Sequence, residues 1–370
     1  MKLFKLLCVA IVVPLTMLSS NLYAHPWSTP KGAVFTQTND ATNNEVLMYS
    51  RNGKGELTFA GAYSPGGLGT SGGLGNQGSL VLGPQNKLLF VANAGSNEIS
   101  VMALAKRGLS LINKVNSGGD RPVSITVFQD MLYVLHAGSD SINGFTIADN
   151  GSLTPIEHSM RVLSSIGTAP AQIQFSPWGD VLAVTEKATN LIDIFSIDET
   201  GLPNEAVTNT SIGNTPFGFD FDRRGRLIVS EAAGGAADAG SMSSYQLLQD
   251  GILNPISAAI DTTETAACWA IVSPNGRYAY TTNAGSSSIS GYRILHDGRL
   301  KLLDEDGVTA ATGENTNPLD MAMSRNGRHL YAISPRTNAI VAFKVKRRGG
   351  LHEIQTVEVP AERMNGLAGF

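Results

Sequence analysis

The feature that most constrains this chain is a phrase that recurs along its whole length. Its clearest copy spans residues 271–292 and contains a Ser-Pro-Asn-Gly turn at 273–276 and an Asn-Ala-Gly-Ser loop at 283–286. Weaker copies follow at intervals of 43 to 52 residues, a period typical of repeat proteins built from one supersecondary unit per copy. The residues that end the second predicted strand of successive units are Asn93, His136, Glu186, Glu231, Asn283 and Ser334.

Each unit is predicted to contain four strands. A short apolar strand comes first, as at residues 122–127 and 216–221. A Ser-Pro-Xaa-Gly turn such as 176–179 follows, in which proline restricts φ and glycine accepts a positive φ. A β-rich second strand, an alternating third strand and a fourth strand after a further turn complete the unit. Four antiparallel strands in a unit of this length predict one blade of a β-propeller.

Seven blades are predicted, although only six units carry the full pattern. The first unit, residues 33–59, lacks an innermost strand, while residues 365–370 resemble an innermost strand with nothing after it. The two fragments complete each other if the C-terminal strand pairs into the first blade, which also removes the free edges of an open array. We therefore expect an all-β, seven-bladed propeller of four-stranded antiparallel blades, formed as a single domain by residues 25–370.

Residues 1–24 have the pattern of a secretory signal peptide. Lys2 and Lys5 precede an apolar run at 6–18, and Leu22-Tyr23-Ala24 provides a cleavage site. The run is shorter than the roughly 20 residues that a spanning helix needs, so we favour cleavage over a retained anchor and expect no membrane span in the mature form. We expect a periplasmic or secreted protein. Its remaining cysteine, Cys268, excludes an intramolecular disulfide and is interpreted as a small buried hydrophobe rather than a nucleophile.

Composition and charge narrow the possible partners. Loss of two lysines with the signal peptide leaves 25 of the 27 basic residues against 31 acidic ones, which disfavours binding to nucleic acid. No pair of cysteines or histidines has zinc-ligand spacing, and no aspartate run matches a calcium loop. No ligand set for haem or flavin is recognisable. The sequence predicts a monomer that needs no metal ion or cofactor and acts on a small molecule.

Departures from the repeat are the candidate catalytic residues. At the end of the second strand asparagine is the scaffold residue, whereas three consecutive blades carry His136, Glu186 and Glu231. These positions are expected on the same face as the inter-blade connections, where a titratable trio is suited to proton transfer. A histidine beside carboxylates favours its charged form, and a partly desolvated carboxylate can hold a proton. The alternative is that all three residues hydrogen-bond loop amides, as asparagine does in sister blades.

A second set of departures lies two residues after the usual proline of each innermost strand. In successive blades the aligned residues are Ser79, Ser124, Gln172, Gly218, Trp269 and Asp320. Trp269 is predicted to form an aromatic wall of a substrate site and Asp320 to supply a further acid. Gln172 is predicted to anchor the substrate together with Arg121, which suits bidentate binding of a carboxylate or phosphate. Inter-blade packing is the alternative for Trp269 and Asp320, and pairing with a neighbouring acid is the alternative for Arg121.

These residues carry a family resemblance. The cadence Ser-Pro-Xaa-Gly-Arg-Xaa-Xaa-Tyr followed by Asn-Ala-Gly-Ser-Xaa-Ser-Ile-Ser, at residues 273–290, resembles the seven-bladed propeller lactonases. That family includes 6-phosphogluconolactonases and fungal carboxymuconate cyclases, and the likeness spans residues 33–370. Resemblance to the cyclases implies a catalytic histidine and glutamate at His136 and Glu186. It also implies substrate-binding arginines near the first strands of the fourth and fifth blades, where this chain has Gln172 and Gly218.

The same resemblance separates this chain from the phosphogluconolactonases. Those proteins have a histidine-rich start of the fourth blade, whereas residues 168–172 contain no histidine. Export also argues against a pentose-phosphate role. The resemblance therefore implies a lactonase with a different substrate, or one that has lost its activity.

Two classes of function follow. We expect an exported lactonase-like enzyme that opens, or forms, the lactone ring of a small carboxylated compound by metal-free acid–base catalysis, with His136 or Glu186 as the base and the other as proton donor. The competing class is a non-catalytic binding or cell-surface interaction propeller. It is favoured by the glycine-rich loops at 64–76 and 231–241, which are expected on the rim of the toroid, within reach of a macromolecule.

Overall fold

The computed structural model describes residues 32–105 and 108–370, so the predicted signal peptide lies outside the described residues. Regular structure in the described part is almost entirely β, with helix confined to three single 3-10 turns at Pro84–Asn86, Ala233–Gly235 and Pro335–Thr337. None of these helices approaches the length or apolar character needed to cross a membrane.

The strands are named in chain order. Those of the first three blades are β1 (Ala33–Gln37), β2 (Val46–Arg51), β3 (Leu57–Tyr63), β4 (Leu80–Leu82), β5 (Leu88–Asn93), β6 (Glu98–Ala105), β7 (Gly108–Asn116), β8 (Pro122–Phe128), β9 (Met131–His136), β10 (Ser141–Ile147), β11 (Leu153–Pro155) and β12 (Arg161–Val162). Those of the fourth and fifth blades are β13 (Pro170–Phe175), β14 (Val181–Glu186), β15 (Leu191–Ser196), β16 (Val207–Thr210), β17 (Pro216–Phe221), β18 (Arg226–Glu231), β19 (Ser241–Leu247) and β20 (Leu253–Asp261). The remainder are β21 (Ala267–Val272), β22 (Tyr278–Asn283), β23 (Ser288–Ile294), β24 (Leu300–Leu302), β25 (Ala310–Ala311), β26 (Met321–Met323), β27 (His329–Ser334), β28 (Ala339–Val345), β29 (Leu351–Glu358) and β30 (Asn365–Gly369).

These strands form seven antiparallel sheets, which are the seven predicted blades. In blades two to seven the first strand is innermost and the others follow outwards, as in the order β13-β14-β15-β16 of blade four. Blade one has the order β3-β2-β1-β30, so its innermost strand comes from the C-terminal segment. Val34 pairs with Gly369 and Phe35 with Ala368, which confirms the predicted closure of the ring.

Local turn chemistry accounts for the repeat. In the turn at 273–276, the Gly276 N–H donates to Ser273 O at 2.7 Å and the Tyr278 N–H donates to Ser273 Oγ at 3.0 Å. Gly276 has a φ of +68°, a conformation that side chains disfavour, so glycine is needed to reverse the chain between the first two strands. The serine and glycine of the repeated phrase therefore specify this inner hairpin, and the same pair forms the turn at Ser176–Gly179 and Ser324–Gly327.

Buried tyrosines tie three of the blades to the blade that follows. Tyr133, Tyr280 and Tyr331 each occupy the third position of a second strand. Their hydroxyls donate to a glycine carbonyl in the last turn of the following blade, at Gly201 (2.6 Å), Gly349 (2.8 Å) and Gly55 (3.0 Å) respectively. Apolar side chains fill the space between neighbouring sheets around them. These contacts hold the second strands, and hence the residues that end them, at fixed heights around the ring.

The connection between β3 and β4, residues 64–79, departs from expectation. Its second half leaves the rim and crosses the central channel, where Asn76 O accepts a hydrogen bond from Trp269 Nε1 at 2.7 Å. The Gln77 side chain exchanges two hydrogen bonds with the backbone of Ala270, at 2.6 and 3.0 Å. The prediction of a rim loop is therefore wrong for this half, because polar groups of the loop find their partners on innermost strands. The other glycine-rich loop is exposed at residues 234–239.

Candidate active site

The predicted rim positions are strand ends, and their side chains are buried. Each is the last residue of the second strand of its blade, and blade one contributes Gln37. None exposes more than 1% of its surface. The connections between blades lie against several of them, so they form a buried layer beneath those connections. The members of this layer are Gln37, Asn93, His136, Glu186, Glu231, Asn283 and Ser334.

Asparagine shows the structural role of this layer. Asn283 Nδ2 donates to Ser290 Oγ at 2.8 Å, and Asn93 Nδ2 donates to Ser100 Oγ at 2.8 Å. In both blades the serine lies seven residues later, on the third strand. Asparagine thus joins two strands without introducing a charge, and the titratable residues of blades three to five depart from an arrangement that is already stable.

His136 is a neutral imidazole with one free nitrogen. Its Nδ1 lies 3.3 Å from Ser141 O, and its Nε2 has no hydrogen-bond partner among the described residues. Burial lowers the pKa of His136 to about 4, so the expectation of a charged imidazole is wrong: desolvation outweighs the backbone contacts with Ser141 and Ser117 and the attraction of Asp120. Gly119 lies over the ring, and a Cβ at that position would stand 2.7 Å from His136 Cγ. The ring can accept a proton, but the connection above it controls access.

Glu186 belongs to a pair of buried carboxyl groups. It accepts hydrogen bonds from the Ser164 N–H (3.0 Å), Ser164 Oγ (2.5 Å) and Thr189 Oγ1 (2.5 Å), and it also contacts Asp193. Thr208 Oγ1 donates to Asp193 Oδ1 at 2.7 Å, while no described group donates to Oδ2. Burial, together with the charge of Glu186, raises the pKa of Asp193. Two touching carboxyl groups in a dry site disfavour double ionisation, so Asp193 keeps its proton to a higher pH than a free aspartate does.

Replacing Asp193 with asparagine is expected to raise the Tm, and to raise it more at pH 8 than at pH 5. The folded protein keeps a proton that the unfolded chain releases above about pH 4, so stability falls as the pH rises through this range. Asparagine retains the bond from Thr208, can donate to Glu186 and has no proton to lose. Thermal melts at the two pH values should differ by roughly 5 °C in the size of the gain. A gain in Tm that does not depend on pH would contradict the raised pKa of Asp193.

Glu231 follows the same structural plan in blade five. Ser241 Oγ donates to its Oε2 at 2.5 Å and the Gly213 N–H donates to its Oε1 at 3.3 Å. Burial raises the pKa of Glu231. Within residues 32–105 and 108–370, no hydrogen bond or ion pair joins the three titratable residues of this layer to one another. Each lies between its own pair of blades, and their joint catalytic role stays a prediction.

Two of the four predicted substrate-binding residues, Gln172 and Asp320, line the central channel. They border a cavity of about 420 Å³ enclosed by innermost strands. Gln172 exchanges hydrogen bonds of 2.9 and 2.8 Å with the backbone of Phe219, which joins blades four and five. Asp320 accepts hydrogen bonds from the N–H groups of Met321 (2.8 Å) and Gly78 (3.2 Å), and burial raises its pKa to about 7. Gln172 is thus engaged by the scaffold, whereas Asp320 is a proton carrier on the cavity wall.

The other two, Arg121 and Trp269, lie at the mouth of the channel. Arg121 Nη2 donates to Gly73 O at 3.3 Å, and the Trp269 ring packs on Phe217 with centroids 4.8 Å apart. Both residues contact the 64–79 connection, whose residues 77 and 78 line the cavity below. The four residues therefore form two pairs, one at the mouth and one in the cavity, with this connection between them.

Lys187 is a mouth residue that the sequence pattern did not bring forward. Its Nζ donates to Gly75 O at 2.6 Å and to Pro170 O at 3.1 Å, and it lies 4.9 Å from the centroid of the Phe217 ring. Burial lowers the pKa of Lys187 to about 8. The signal that could have found it is a departure one residue after the strand end. At that position four sister blades carry alanine, at Ala94, Ala137, Ala232 and Ala284.

Cys268 and the acidic residues provide neither a reactive thiolate nor a metal site within the described residues. Cys268 is buried, and burial raises the pKa of its thiol to about 12, so it is not a thiolate nucleophile at neutral pH. In the part of the chain that the structure describes, no three His, Cys, Asp or Glu side chains are grouped closely enough to hold a metal ion.

The seven-bladed architecture agrees with the protein family that the sequence matches. A family model described as lactonase, 7-bladed beta-propeller, matches residues 42–166, 165–266 and 240–364. Because these segments cover most of the sequence, the chain belongs to the lactonase family of seven-bladed β-propellers.

Individual proteins resemble this chain in sequence or in fold. The chain is 26% identical over 271 residues to a 6-phosphogluconolactonase of Yersinia enterocolitica, across 71% of this chain and 78% of that protein. A periplasmic gluconolactonase of Pseudomonas aeruginosa has a TM-score of 0.71 at 16% identity, with 91% of this chain and 98% of that chain covered. A protein from Lactobacillus plantarum has a TM-score of 0.73 at 16% identity, with coverage of 92% and 99%. These two structures share the fold.

Proposed function

We propose that this protein is an exported lactonase that opens, or in reverse forms, the ring of a small anionic lactone by acid–base catalysis. One observation carries the proposal: adjacent blades hold a free base and a carboxyl acid. His136 is neutral with an unpartnered Nε2, and Glu186 contacts Asp193, a buried carboxyl group whose pKa is raised. Ring opening needs this combination, because the attacking water loses a proton and the leaving alkoxide gains one.

Each residue has a proposed role in that reaction. His136 Nε2 accepts the proton of the attacking water, and Glu186 returns a proton to the ring oxygen. Glu231 serves as a further carboxyl acid in the next blade, while Arg121 binds the carboxylate of the substrate by charge-assisted hydrogen bonds. The reaction requires movement of the connection at 117–121, because Gly119 lies over the imidazole. The glycine pair at 118–119 favours such movement.

Location and substrate are proposed on separate grounds. Residues 1–24 have the composition of a signal peptide, which supports export. The names of the Pseudomonas and Yersinia relatives, a periplasmic gluconolactonase and a 6-phosphogluconolactonase, support the periplasm and a sugar-acid lactone. We expect residues 25–370 to act as one domain and as a monomer.

The purified chain is expected to release protons from anionic lactones faster than from neutral lactones of the same ring size. The cation at the mouth attracts a carboxylate or phosphate, so kcat/KM should be at least about tenfold higher for the anionic members. A panel of 6-phosphogluconolactone, a carboxylated muconolactone and neutral gluconolactone, each corrected for spontaneous hydrolysis, provides the measurement. No turnover of any member above the spontaneous rate would contradict the proposal.

A non-catalytic binding propeller is the second candidate. The observation that favours it is the complete burial of His136, Glu186 and Glu231, each of which supports a connection between blades. If these three residues are only structural, no member of the lactone panel should be hydrolysed above the spontaneous rate, and a pull-down with the purified chain should recover a polymer or a protein. The same assay therefore separates the two classes.

A further inference from the structure

The connection 64–79 contains a three-residue crossing, Gly73–Gly75, here called the strap. The strap runs between two fixed points. Before it, Asn39 Nδ2 donates to Gly72 O at 2.8 Å, and after it the backbone of residue 77 donates to Ala171 O at 3.0 Å. Within the described residues, none of the three N–H groups of the strap donates a hydrogen bond. Its polar contacts are made by its carbonyl oxygens.

Two cations bind those carbonyl oxygens. Arg121 Nη2 donates to Gly73 O at 3.3 Å, and Lys187 Nζ donates to Gly75 O at 2.6 Å. The two cations are close enough for Arg121 to lower the pKa of Lys187, in addition to the larger effect of burial. In the described part of the chain, neither of them forms an ion pair with a carboxylate. Arg121 is exposed and Lys187 is half-buried, so two like charges lie at one mouth and their protein partners there are neutral carbonyl oxygens.

Lys187 replaces the alanine found at this position in four sister blades. Sister blades show that alanine satisfies the fold at this position, so the lysine adds a half-buried cation that the scaffold does not need. Burying a cation without an anionic partner costs stability. A group that reduces stability and is directed into a channel mouth is typical of a binding site.

We infer that Arg121 and Lys187 form the anion site of this protein, which receives the carboxylate or phosphate of its ligand, and that the strap occupies this site until the ligand replaces it. The inference rests on the proposed function in one respect, namely that the ligand is the lactone substrate. Carboxylate and phosphate oxygens accept stronger, charge-assisted hydrogen bonds than backbone carbonyls do, so an anion can displace the strap.

The strap is built to leave without unfolding a blade. When the ligand binds, Arg121 and Lys187 exchange the carbonyl oxygens of the strap for the oxygens of the anion. The N–H groups of the strap donate no hydrogen bond within the described residues, so none has to be broken. The main cost is the Leu74 side chain, which is buried against Val123 and Ile173. Glycines flank this leucine; a Cβ at position 73 would meet nothing within 4 Å, and one at position 75 would approach only the end of Lys187. Burial of the Leu74 side chain therefore holds the strap in place and opposes its displacement by the ligand.

Isothermal titration of the full chain with inorganic phosphate, and separately with succinate, tests the site. Lys187→Ala introduces the residue of four sister blades, so it should fold normally, yet we expect it to weaken binding of the preferred anion by roughly 10- to 100-fold. Lys114→Ala is the matched control. Lys114 also donates to this connection, at Gly66 O (2.8 Å), but it pairs with Glu98 at 2.7 Å. Its removal should leave anion affinity unchanged.

Leu74→Ala tests the strap with the opposite sign. Truncating a buried leucine destabilises the closed state, so anion affinity should rise by roughly tenfold or more. Unchanged affinity in Leu74→Ala would overturn the strap as the occupant, and equal binding by wild type and Lys187→Ala, or no binding of either anion to wild type, would overturn the site. The readout is independent of turnover: anion binding that obeys these signs supports the site even if no lactone is hydrolysed.

Discussion

Removing residues 365–370 is expected to leave no cooperatively folded propeller. These residues provide β30, and without it β1 loses its inner partner along the pairs Val34–Gly369 and Phe35–Ala368. The unpaired edge of β1 would be buried next to the channel, where water cannot satisfy it. Lost burial of Leu367 and lost backbone hydrogen bonds together cost about 5 kcal/mol or more, which is comparable with the whole stability of a typical domain.

The deletion also disturbs two neighbouring blades. Ser79 Oγ loses its acceptor on Asn365 (2.7 Å), and Asp320 Oδ2 loses the Leu367 N–H (3.3 Å). Circular dichroism melts and size-exclusion chromatography provide the measurement, and a synthetic peptide of residues 363–370 added in trans should restore the transition. Leu367→Ala, which keeps the strand, should lower the Tm and leave a single transition. A truncated chain that melts within a few degrees of the intact one would show that β30 does not close the ring.

The blades were predictable because the information is local. A Ser-Pro-Xaa-Gly turn reverses the chain through contacts between residues two to five positions apart, as Ser273 shows. Strand ends followed from the same phrase, and each predicted end is the last residue of its strand. Ring closure required one more step, the pairing of two incomplete units, and the C-terminal strand does pair with β1.

The channel mouth was not predictable in the same way, because its contacts are distant in sequence. Gln77 and Ala270 are 193 residues apart, and the turn-rich composition of 64–79 gives no indication that this connection leaves the rim. Burial also reversed one expectation: a histidine near an acid was expected to be charged, but desolvation keeps His136 neutral. Lys187 departs from the alanine of four sister blades, but it lies one residue beyond the strand end. The repeat pattern assigns that position to the loop, so the departure was not counted as a candidate site residue.

The departures are concentrated in one sector of the ring. Blades three, four and five carry the titratable members of the buried layer, and blade four adds Asp193 and Lys187. Asp193 occupies the third-strand position that is Ser100 or Ser290 in two sister blades. In blade four, therefore, both the member of the buried layer and its third-strand partner differ from the scaffold residues. Random drift in a scaffold layer would not be expected to place a buried carboxyl pair and a cation without a carboxylate partner in the same blade. This concentration favours a site over dispersed structural variation.

His136→Asn is expected to lower kcat for the best lactone by roughly 10²- to 10⁴-fold while leaving the fold intact. Asparagine is the residue of two sister blades, where it hydrogen-bonds the third strand, so the variant keeps the structural role of the layer and loses only the base. The effect should appear in kcat rather than in KM, because the role proposed for His136 is to accept a proton from the attacking water and not to bind the anionic group. In wild type, kcat should fall as the pH drops through about 4, where the imidazole becomes protonated.

Stability measurements separate this loss from misfolding. The folded protein leaves His136 unprotonated down to about pH 4, whereas the unfolded chain protonates it below about pH 6.5. As the pH falls from 6.5 to 4, the free energy of unfolding of the wild type therefore decreases by about 3 kcal/mol through this residue alone. His136→Asn removes that decrease, and the variant should therefore be more stable relative to wild type at pH 4.5 than at pH 7.5. Glu186→Gln, assayed in parallel, should lose turnover through the acid step. If His136→Asn turned lactone over at the wild-type rate, the histidine would be a structural member of the layer, and catalysis would have to be sought at Asp320 on the cavity wall.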